Sequence, residues 1–213
     1  MRLLLLILAG YLIGSFPTAI IAGRLLIRDD IRKHGSGNAG ATNVFRVLGW
    51  KPALVVVLID IAKGFIPVFF IAPSLAAGIP LDGTITMIIA GTAAIAGHVW
   101  TVFAGFRGGK GVGTGFGVLL GLAPVPALIT LGIWIIITLL TRIVSVASLS
   151  AALTFPLVLI AQRLLLGRPV PPALHILSGV LALFILITHR KNIGRLIRGE
   201  EQKLSRPGNA SAG

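Results

Sequence analysis

Three short stretches of this chain combine glycine, small hydroxyl or amide side chains, and a cation. The first is Gly35-Ser36-Gly37-Asn38-Ala39-Gly40-Ala41-Thr42-Asn43, closely followed by Arg46. The second is Gly105-Phe106-Arg107-Gly108-Gly109-Lys110-Gly111, running on to Thr114. The third is His189-Arg190-Lys191-Asn192-Ile193-Gly194-Arg195. Glycine has no Cβ, so backbone N–H groups beside it can approach an anion closely. Ser36, Asn38, Thr42 and Asn43 can add side-chain hydrogen bonds. Lys110 places a compact charge where little side-chain bulk stands in the way, which suits a phosphate. His189 can serve as a base or a donor. Arg190 and Arg195 suit phosphate and lipid head groups equally well. Taken singly, each stretch has a plainer reading: a flexible polar loop, a lysine that marks membrane topology, and basic residues where a helix leaves the bilayer.

Several chemistries are excluded or weakened by pattern. Gly35, Gly37 and Gly40 match G-x-G-x-x-G, but no strand or βαβ unit surrounds them. The second stretch is not a Walker A loop, because Ala104 takes the first Gly position and Gly111 follows Lys110. No H-E-x-x-H zinc motif, G-x-S-x-G elbow or pair of catalytic carboxylates is present. None of His34, His98, His175 or His189 has Asp five positions on, so the H-x-x-x-x-D pair of thioester-using glycerolipid acyltransferases is missing. The chain has no cysteine, hence no thiol nucleophile and no thiolate metal site. Cationic side chains can neutralise phosphate unaided, so neither metal nor cofactor is expected.

The elements that must position these stretches are membrane helices. Of 213 residues, 55% are hydrophobic and 12% charged, and the mean hydropathy is +0.98. Soluble domains carry roughly 25% charged residues, so this chain needs lipid as solvent. The net charge of +13 does not indicate nucleic acid, because Lys and Arg cluster between apolar runs. Seven apolar stretches are candidate spans: Leu3–Ile27, Pro52–Ala72, Thr84–Phe103, Val112–Ala123, Pro126–Leu140, Ile143–Leu166 and Ala173–Thr188. The fourth and fifth are short, and a re-entrant hairpin is an alternative for that pair. Met1–Ala22 reads as part of the first span rather than a signal peptide, since no small-residue cleavage site follows. The fold expected is an all-α polytopic membrane protein, with one domain over 1–201 and a disordered cytoplasmic tail over 202–213.

With seven crossings, one face carries Arg24, Arg28, Arg32, Lys33, Arg46, Lys51, Arg107, Lys110, Arg142, Arg190, Lys191, Arg195, Arg198, Lys203 and Arg206. The other carries Arg2, Arg163 and Arg168. The positive-inside rule makes the rich face cytoplasmic, with the N terminus outside. All three polar stretches then face the cytoplasm. Asp60 and Lys63 stand alone inside a span at i, i+3, where they can pair within the bundle. A share in the site or in a proton path is the alternative. His98, near the end of the third span, can hydrogen-bond within the bundle. Gly109, Gly113, Gly117 and Gly121 recur every four residues, as close helix packing requires.

On these stretches the chain resembles the bacterial acyl-phosphate:glycerol-3-phosphate acyltransferases, often called PlsY. The resemblance rests on Gly35-Ser36-Gly37-Asn38 with Gly40, Thr42 and Asn43, and on Gly97-His98 leading to Phe106-Arg107-Gly108-Gly109-Lys110-Gly111. It rests also on His189-Arg190 with Asn192-Ile193, Arg195-Leu196, Gly199 and Glu201. Tyr11-Leu12-Ile13-Gly14-Ser15 and Asp60 with Lys63-Gly64 fit as well. Two residues depart from the pattern: Thr101 stands where Pro is expected, and Gly113 where Ala is common. The resemblance implies a seven-helix enzyme of the bacterial cytoplasmic membrane. It would transfer an acyl chain from acyl phosphate to the 1-hydroxyl of glycerol 3-phosphate, releasing lysophosphatidic acid and phosphate. His189, Lys110 and Asn192 are then the expected catalytic residues, with either His189 or a substrate phosphate oxygen as base. Ser36, Gly37, Asn38, Thr42, Asn43, Arg46, Gly108, Gly109, Gly111 and Arg190 are the expected substrate contacts. Two other classes remain: a transporter of phosphorylated anions, and a non-catalytic membrane subunit that binds anionic lipid.

Overall fold

The structure, a computed structural model, describes residues 1–204. The part of the expected tail from Ser205 onward lies outside the described residues. Among the described residues there is no strand. Helix dominates because backbone N–H and C=O groups in lipid must be satisfied within the segment itself.

The chain packs as two compact units, Met1–Gly121 and Leu122–Leu204. The first holds α1 (Arg2–Gly14), α2 (Thr18–Ile27), α3 (Ala41–Leu48), α4 (Trp50–Ile66), α5 (Ala72–Ala76), α6 (Gly83–Val99) and most of α7 (Val112–Leu122). The second holds α8 (Pro124–Thr141), α9 (Val144–Leu166), α10 (Pro172–Thr188) and α11 (Arg190–Ile197).

Each of the seven expected apolar stretches is helical, with ends within a few residues of expectation. Among the described residues, five helical segments can cross a membrane by length and composition: Arg2–Ile27, Trp50–Ala76, Gly83–Ala104, Pro124–Thr141 and Val144–Leu166. A sixth is available if α10 and α11, bent by 61° at His189, count as one span. The fourth and fifth expected spans part company. α8 has 18 residues and passes alone, because it starts at Pro124 and runs to Thr141. α7 has 11 residues, a length of about 16 Å against a hydrocarbon thickness of about 30 Å.

The first span breaks at Ser15–Pro17, where Pro17 has no N–H to give. Two buried side chains, one just after α6 and one on α4, serve the carbonyls exposed there. The Thr101 hydroxyl donates to Ser15 O, and the Lys63 ammonium donates to Phe16 O at 3.0 Å. Thr101, the residue standing where Pro is expected, therefore makes a hydrogen bond that Pro could not.

Small residues let the helices of the first unit meet backbone to backbone. A Cβ on Gly14 or Gly97 would strike Ala94 O or Tyr11 O across the α1–α6 contact. A Cβ on Gly117 would strike Ile61 O across α4–α7, and one on Gly121 would press on Val68, just past the end of α4. Gly113, Gly117 and Gly121 of the four-residue repeat thus serve the packing of α7, while Gly109 lies in the loop before that helix. In the second unit α9 packs between α8 and α10, and Trp134 Nε1 donates to Ser148 Oγ at 3.2 Å.

Candidate functional site

Asn43 builds the first polar stretch. It stands in the first turn of α3, at the end of a loop that leaves α2 and makes a short 3₁₀ turn at Ile31–Lys33. The Asn43 side chain is 1% exposed. Its Nδ2 donates to Ile31 O and His34 O, each at 3.0 Å. Its Oδ1 accepts from the Ser36 N–H at 2.7 Å and the Ser36 hydroxyl at 3.1 Å. The whole amide is spent on the loop. Asn43, expected to touch substrate, holds the loop that presents Ser36 instead. Gly35 sits at φ 57°, and a Cβ there would run into Asn43 Oδ1. Ser36 and Gly37 are exposed at the tip, while Asn38, Thr42 and Arg46 are half-buried around it.

The second stretch is seated on the end of α6. Gly108 N–H donates to Val99 O at 2.9 Å, and Gly109 N–H donates to His98 O at 3.2 Å. Cβ atoms on these glycines would strike His98 O, the His98 ring and Ala39 O. The glycines are there so that the loop can lie directly on α6 and on the first loop. Gly108 and Gly109, expected as anion donors through their amides, donate to protein carbonyls instead. They fix Lys110, which is half-buried and immediately precedes Gly111 (φ 83°) and the N terminus of α7. That helix end adds a partial positive charge beside the lysine.

Arg32 ties the two stretches together. Its Nε and Nη2 grip the Asp30 carboxylate, at 3.0 and 2.6 Å. Its Nη1 donates to Ala104 O and to Arg107 O, each at 2.9 Å. Asp30 also caps the 3₁₀ turn by accepting from Arg32 N–H at 2.9 Å. The guanidinium beside it holds the Asp30 carboxyl below its ordinary range. In the sequence Arg32 reads only as a topology charge. Its one clue is the pair Asp29-Asp30, two of six acidic residues in the whole chain, set beside it.

Beneath these loops lies a buried polar cluster. Lys63 and Asp60 pair at 2.7 Å within α4, each 5% exposed. This is the in-bundle ion pair that the i, i+3 spacing predicts. His98 Nδ1 stands 3.8 Å from Asp60 Oδ1, too far for a hydrogen bond. A cavity of about 10 Å³, room for one water, lies among Phe16, Ala39, Asp60, Lys63, His98 and Gly109.

The third stretch belongs to the second unit. His189 caps α10 and is 3% exposed. Its Nδ1 lies 2.9 Å from Ile185 O. A carbonyl can only accept, so Nδ1 carries the proton in this contact. Asn192 donates its side-chain amide to Glu201, which also accepts from Ser145 Oγ at 2.7 Å and from Arg195 Nε at 2.6 Å. Burial alone would raise the Glu201 carboxyl. The hydrogen bonds from Arg195, Asn192 and Ser145 outweigh it and hold the group below its ordinary value. Beyond Glu201, the Leu204 N–H donates to Arg142 O at 2.7 Å. Arg190 is exposed, and its Nη1 donates to Ile187 O at 3.3 Å. Ser145 carries no sequence signal. Glu201 shows only as part of the family pattern.

Residues 4–199 match the family model described as glycerol-3-phosphate acyltransferase. Relatives named glycerol-3-phosphate acyltransferase include those of Chlorobaculum tepidum, 48% identical, and Chlorobaculum parvum, 47% identical. In both, the match covers 95% of this chain and 96% of the relative. Two crystal structures of PlsY, an integral membrane glycerol 3-phosphate acyltransferase, share the fold. The glycerol 3-phosphate form is 36% identical with a TM-score of 0.84, and the lysophosphatidic acid form 35% with 0.81. Each match covers 96% of both chains.

Proposed function

This chain belongs to the glycerol-3-phosphate acyltransferase family, and from that premise we propose that it acylates the 1-hydroxyl of glycerol 3-phosphate with acyl phosphate as donor. The products are lysophosphatidic acid and inorganic phosphate. The observation that carries this reading is the seating of Lys110. Two glycines fastened to α6 carbonyls hold it at the head of α7, in a chain whose polar loops are basic and rich in glycine. Both proposed substrates bear phosphate, and the two matching PlsY structures are a glycerol 3-phosphate form and a lysophosphatidic acid form.

In the transfer, the 1-hydroxyl oxygen bonds to the acyl carbon and the bond from that carbon to the phosphate oxygen breaks. Phosphate is already a good leaving group, so positioning and charge neutralisation supply much of the catalysis. Lys110 and Arg46 hold phosphate. Ser36, Gly37, Asn38, Thr42, Gly111 and Arg190 orient it, and Asn43, Gly108 and Gly109 hold the loops that do so. Asn192 acts with its amide oriented by Glu201. The hydroxyl proton passes to His189 Nε2 or to a phosphate oxygen of the donor. We place the protein in the bacterial cytoplasmic membrane with all three polar stretches in the cytoplasm, on the strength of the Arg and Lys asymmetry.

The deciding experiment supplies purified protein with long-chain acyl phosphate and glycerol 3-phosphate. Lysophosphatidic acid and phosphate should appear in equal amounts, acyl-CoA should not substitute, and a chelator should not abolish the rate. Efficient use of acyl-CoA would overturn the donor. No product from either donor, in folded protein, would overturn the enzymatic reading.

A further inference from the structure

We propose that Arg32 is a positioning residue for catalysis: its guanidinium clamps the second loop to the first and thereby fixes Lys110. The inference deepens the proposed function and rests on it for the role of Lys110.

Three observations carry it. First, the guanidinium is satisfied on both sides. One edge is held by Asp30 through Nε and Nη2, and Nη1 reaches the carbonyls of Ala104 and Arg107. Those carbonyls lie 72 and 75 residues away in sequence, so the clamp joins segments that no local structure would bring together. Second, the clamp has no slack on the side of Asp30. The same carboxylate that holds the guanidinium also caps the turn on which Arg32 sits. Third, the path from the clamp to Lys110 is short and fastened along its length. After Arg107 come only Gly108 and Gly109, whose N–H groups are hydrogen-bonded to Val99 O and His98 O. A Cβ on Gly109 would also meet Ala39 O of the first loop, so the two loops touch there as well.

The physical consequence concerns Lys110 alone. Without the Nη1 bonds, the turn at Ala104–Arg107 keeps its own backbone bonds, Ala104 N–H and Phe106 N–H to Thr101 O, and the packing of Ala104 on the cluster around Ile31 and Val44, but loses its polar tie to the first loop. Nη1 also occupies two carbonyl oxygens that would otherwise present negative dipoles beside a phosphate site. Lysine cannot replace this arginine, because an ammonium lacks the planar fork that spans a carboxylate and two carbonyls together. It does keep the charge, so topology and general attraction of anions are preserved.

The test uses the full-length protein. Arg32→Lys should lower kcat/KM by roughly 10- to 100-fold, the scale of an ångström-sized misplacement. In a Lys110→Ala background the same change should cost less than about twofold, because its effect runs through Lys110. Asp30→Asn, which keeps the guanidinium and weakens its hold, should show a smaller loss that also vanishes in that background. It decides the matter if Arg32→Lys does not accumulate as folded protein. Independently of any activity, a nitroxide on a single Cys replacing exposed Phe106 should become more mobile in Arg32→Lys. If the label's motion is unchanged, the clamp is refuted whatever reaction the protein catalyses. Activity within twofold of wild type, or losses that simply multiply with Lys110→Ala, would refute it too. Absence of turnover in the wild type with acyl phosphate would instead fall on the proposed donor.

Discussion

Asn43 accepts two hydrogen bonds from Ser36, one from its N–H at 2.7 Å and one from its hydroxyl at 3.1 Å. The buried residue shapes the loop and the exposed one is displayed by it. The two should therefore fail differently when removed. Asn43→Ala removes the partner of the Ser36 N–H and leaves the carbonyls of Ile31 and His34 with only their backbone donors, the N–H groups of His34 and Gly37. That should cost on the order of 2 kcal/mol of stability together with most of the activity. Ser36→Ala should lose activity by roughly tenfold, about the worth of one hydrogen bond to a charged group, with the thermal midpoint unchanged. Thermal unfolding in detergent, run beside the acyltransferase assay, separates the two. Equal destabilisation by both variants would contradict this division of labour.

Gly108 and Gly109 should behave as packing residues. An added methyl at Gly108 meets His98 O and Val99 O, which are backbone and cannot swing away. At Gly109 it meets the His98 ring and Ala39 O. Alanine at either position should lift the loop off α6, displace Lys110 and cut kcat/KM by at least roughly tenfold. Gly132 and Gly179 have nothing within 4 Å of a built Cβ. Alanine there should leave the rate unchanged and serves as the control. A Gly109→Ala enzyme with wild-type kinetics would show that the loop is not seated on α6 during turnover.

Much of this arrangement is legible in the sequence because lipid leaves little choice. Apolar length gives the seven expected helical stretches, though not the break at Ser15–Pro17 or the short helices α3 and α11, and the period of Gly113, Gly117 and Gly121 gives the packing of α7. The i, i+3 spacing gives the Asp60–Lys63 pair, since partners on one helix face are set by local geometry. What the sequence hides is the direction in which a polar group points. Ser36 and Asn43 look alike as donors and acceptors in one loop, yet one is displayed and the other consumed. Gly108 and Gly109 suggest an anion nest, yet their N–H groups face carbonyls of a helix nine or more residues back. Arg32 is hidden for a further reason. Its partners are backbone carbonyls 72 and 75 residues away, and a carbonyl leaves no residue-type signature.

Glu201 should make stability depend on pH in the acid range. Its folded-state pKa is depressed below the ordinary 4.5. The unfolded chain therefore binds the proton more readily, and the contribution is complete above about pH 4.5 and lost as the pH falls through the folded value. Glu201→Gln cannot take part in this titration, and it sets an amide against Arg195. The variant should melt below wild type at neutral pH, and the gap should narrow as the pH drops under about 4.5. A gap that stays constant down to strongly acid pH would mean that the carboxylate's charge contributes nothing.

Sidedness can be read with single cysteines because the chain has none of its own. Cys at Ser36, Gly111, Arg142 and Lys191 should escape a membrane-impermeant thiol reagent in intact cells and react after lysis. Arg142 is the informative position. α7 is only 11 residues long, and if it turned back without crossing, Arg142 would lie on the opposite side from Gly111. Labelling of Arg142 in intact cells, with Gly111 protected, would overturn the orientation from α8 onward.

Lys110 is the residue on which the proposed chemistry turns, and its two readings diverge under mutation. As a topology marker it contributes one charge to a face that already holds Arg107, Arg46 and Lys51, so its loss should leave turnover nearly unchanged. As a phosphate ligand it meets charge that builds on the departing phosphate. Removing it should raise the barrier by roughly 2–4 kcal/mol, or about 30- to 1,000-fold in rate. The structure favours a large effect, because the lysine backbone is fixed by Gly108, Gly109 and the start of α7 and has little freedom to be replaced by a neighbour. Lys110→Ala should therefore express and insert normally while turning over at a few per cent of wild type or less. Lys110→Arg should recover part of the rate, since it restores the charge on a longer and differently shaped side chain. An alanine variant that keeps more than half of its activity would reduce Lys110 to a positive-inside residue and leave Arg46 as the cation to test next.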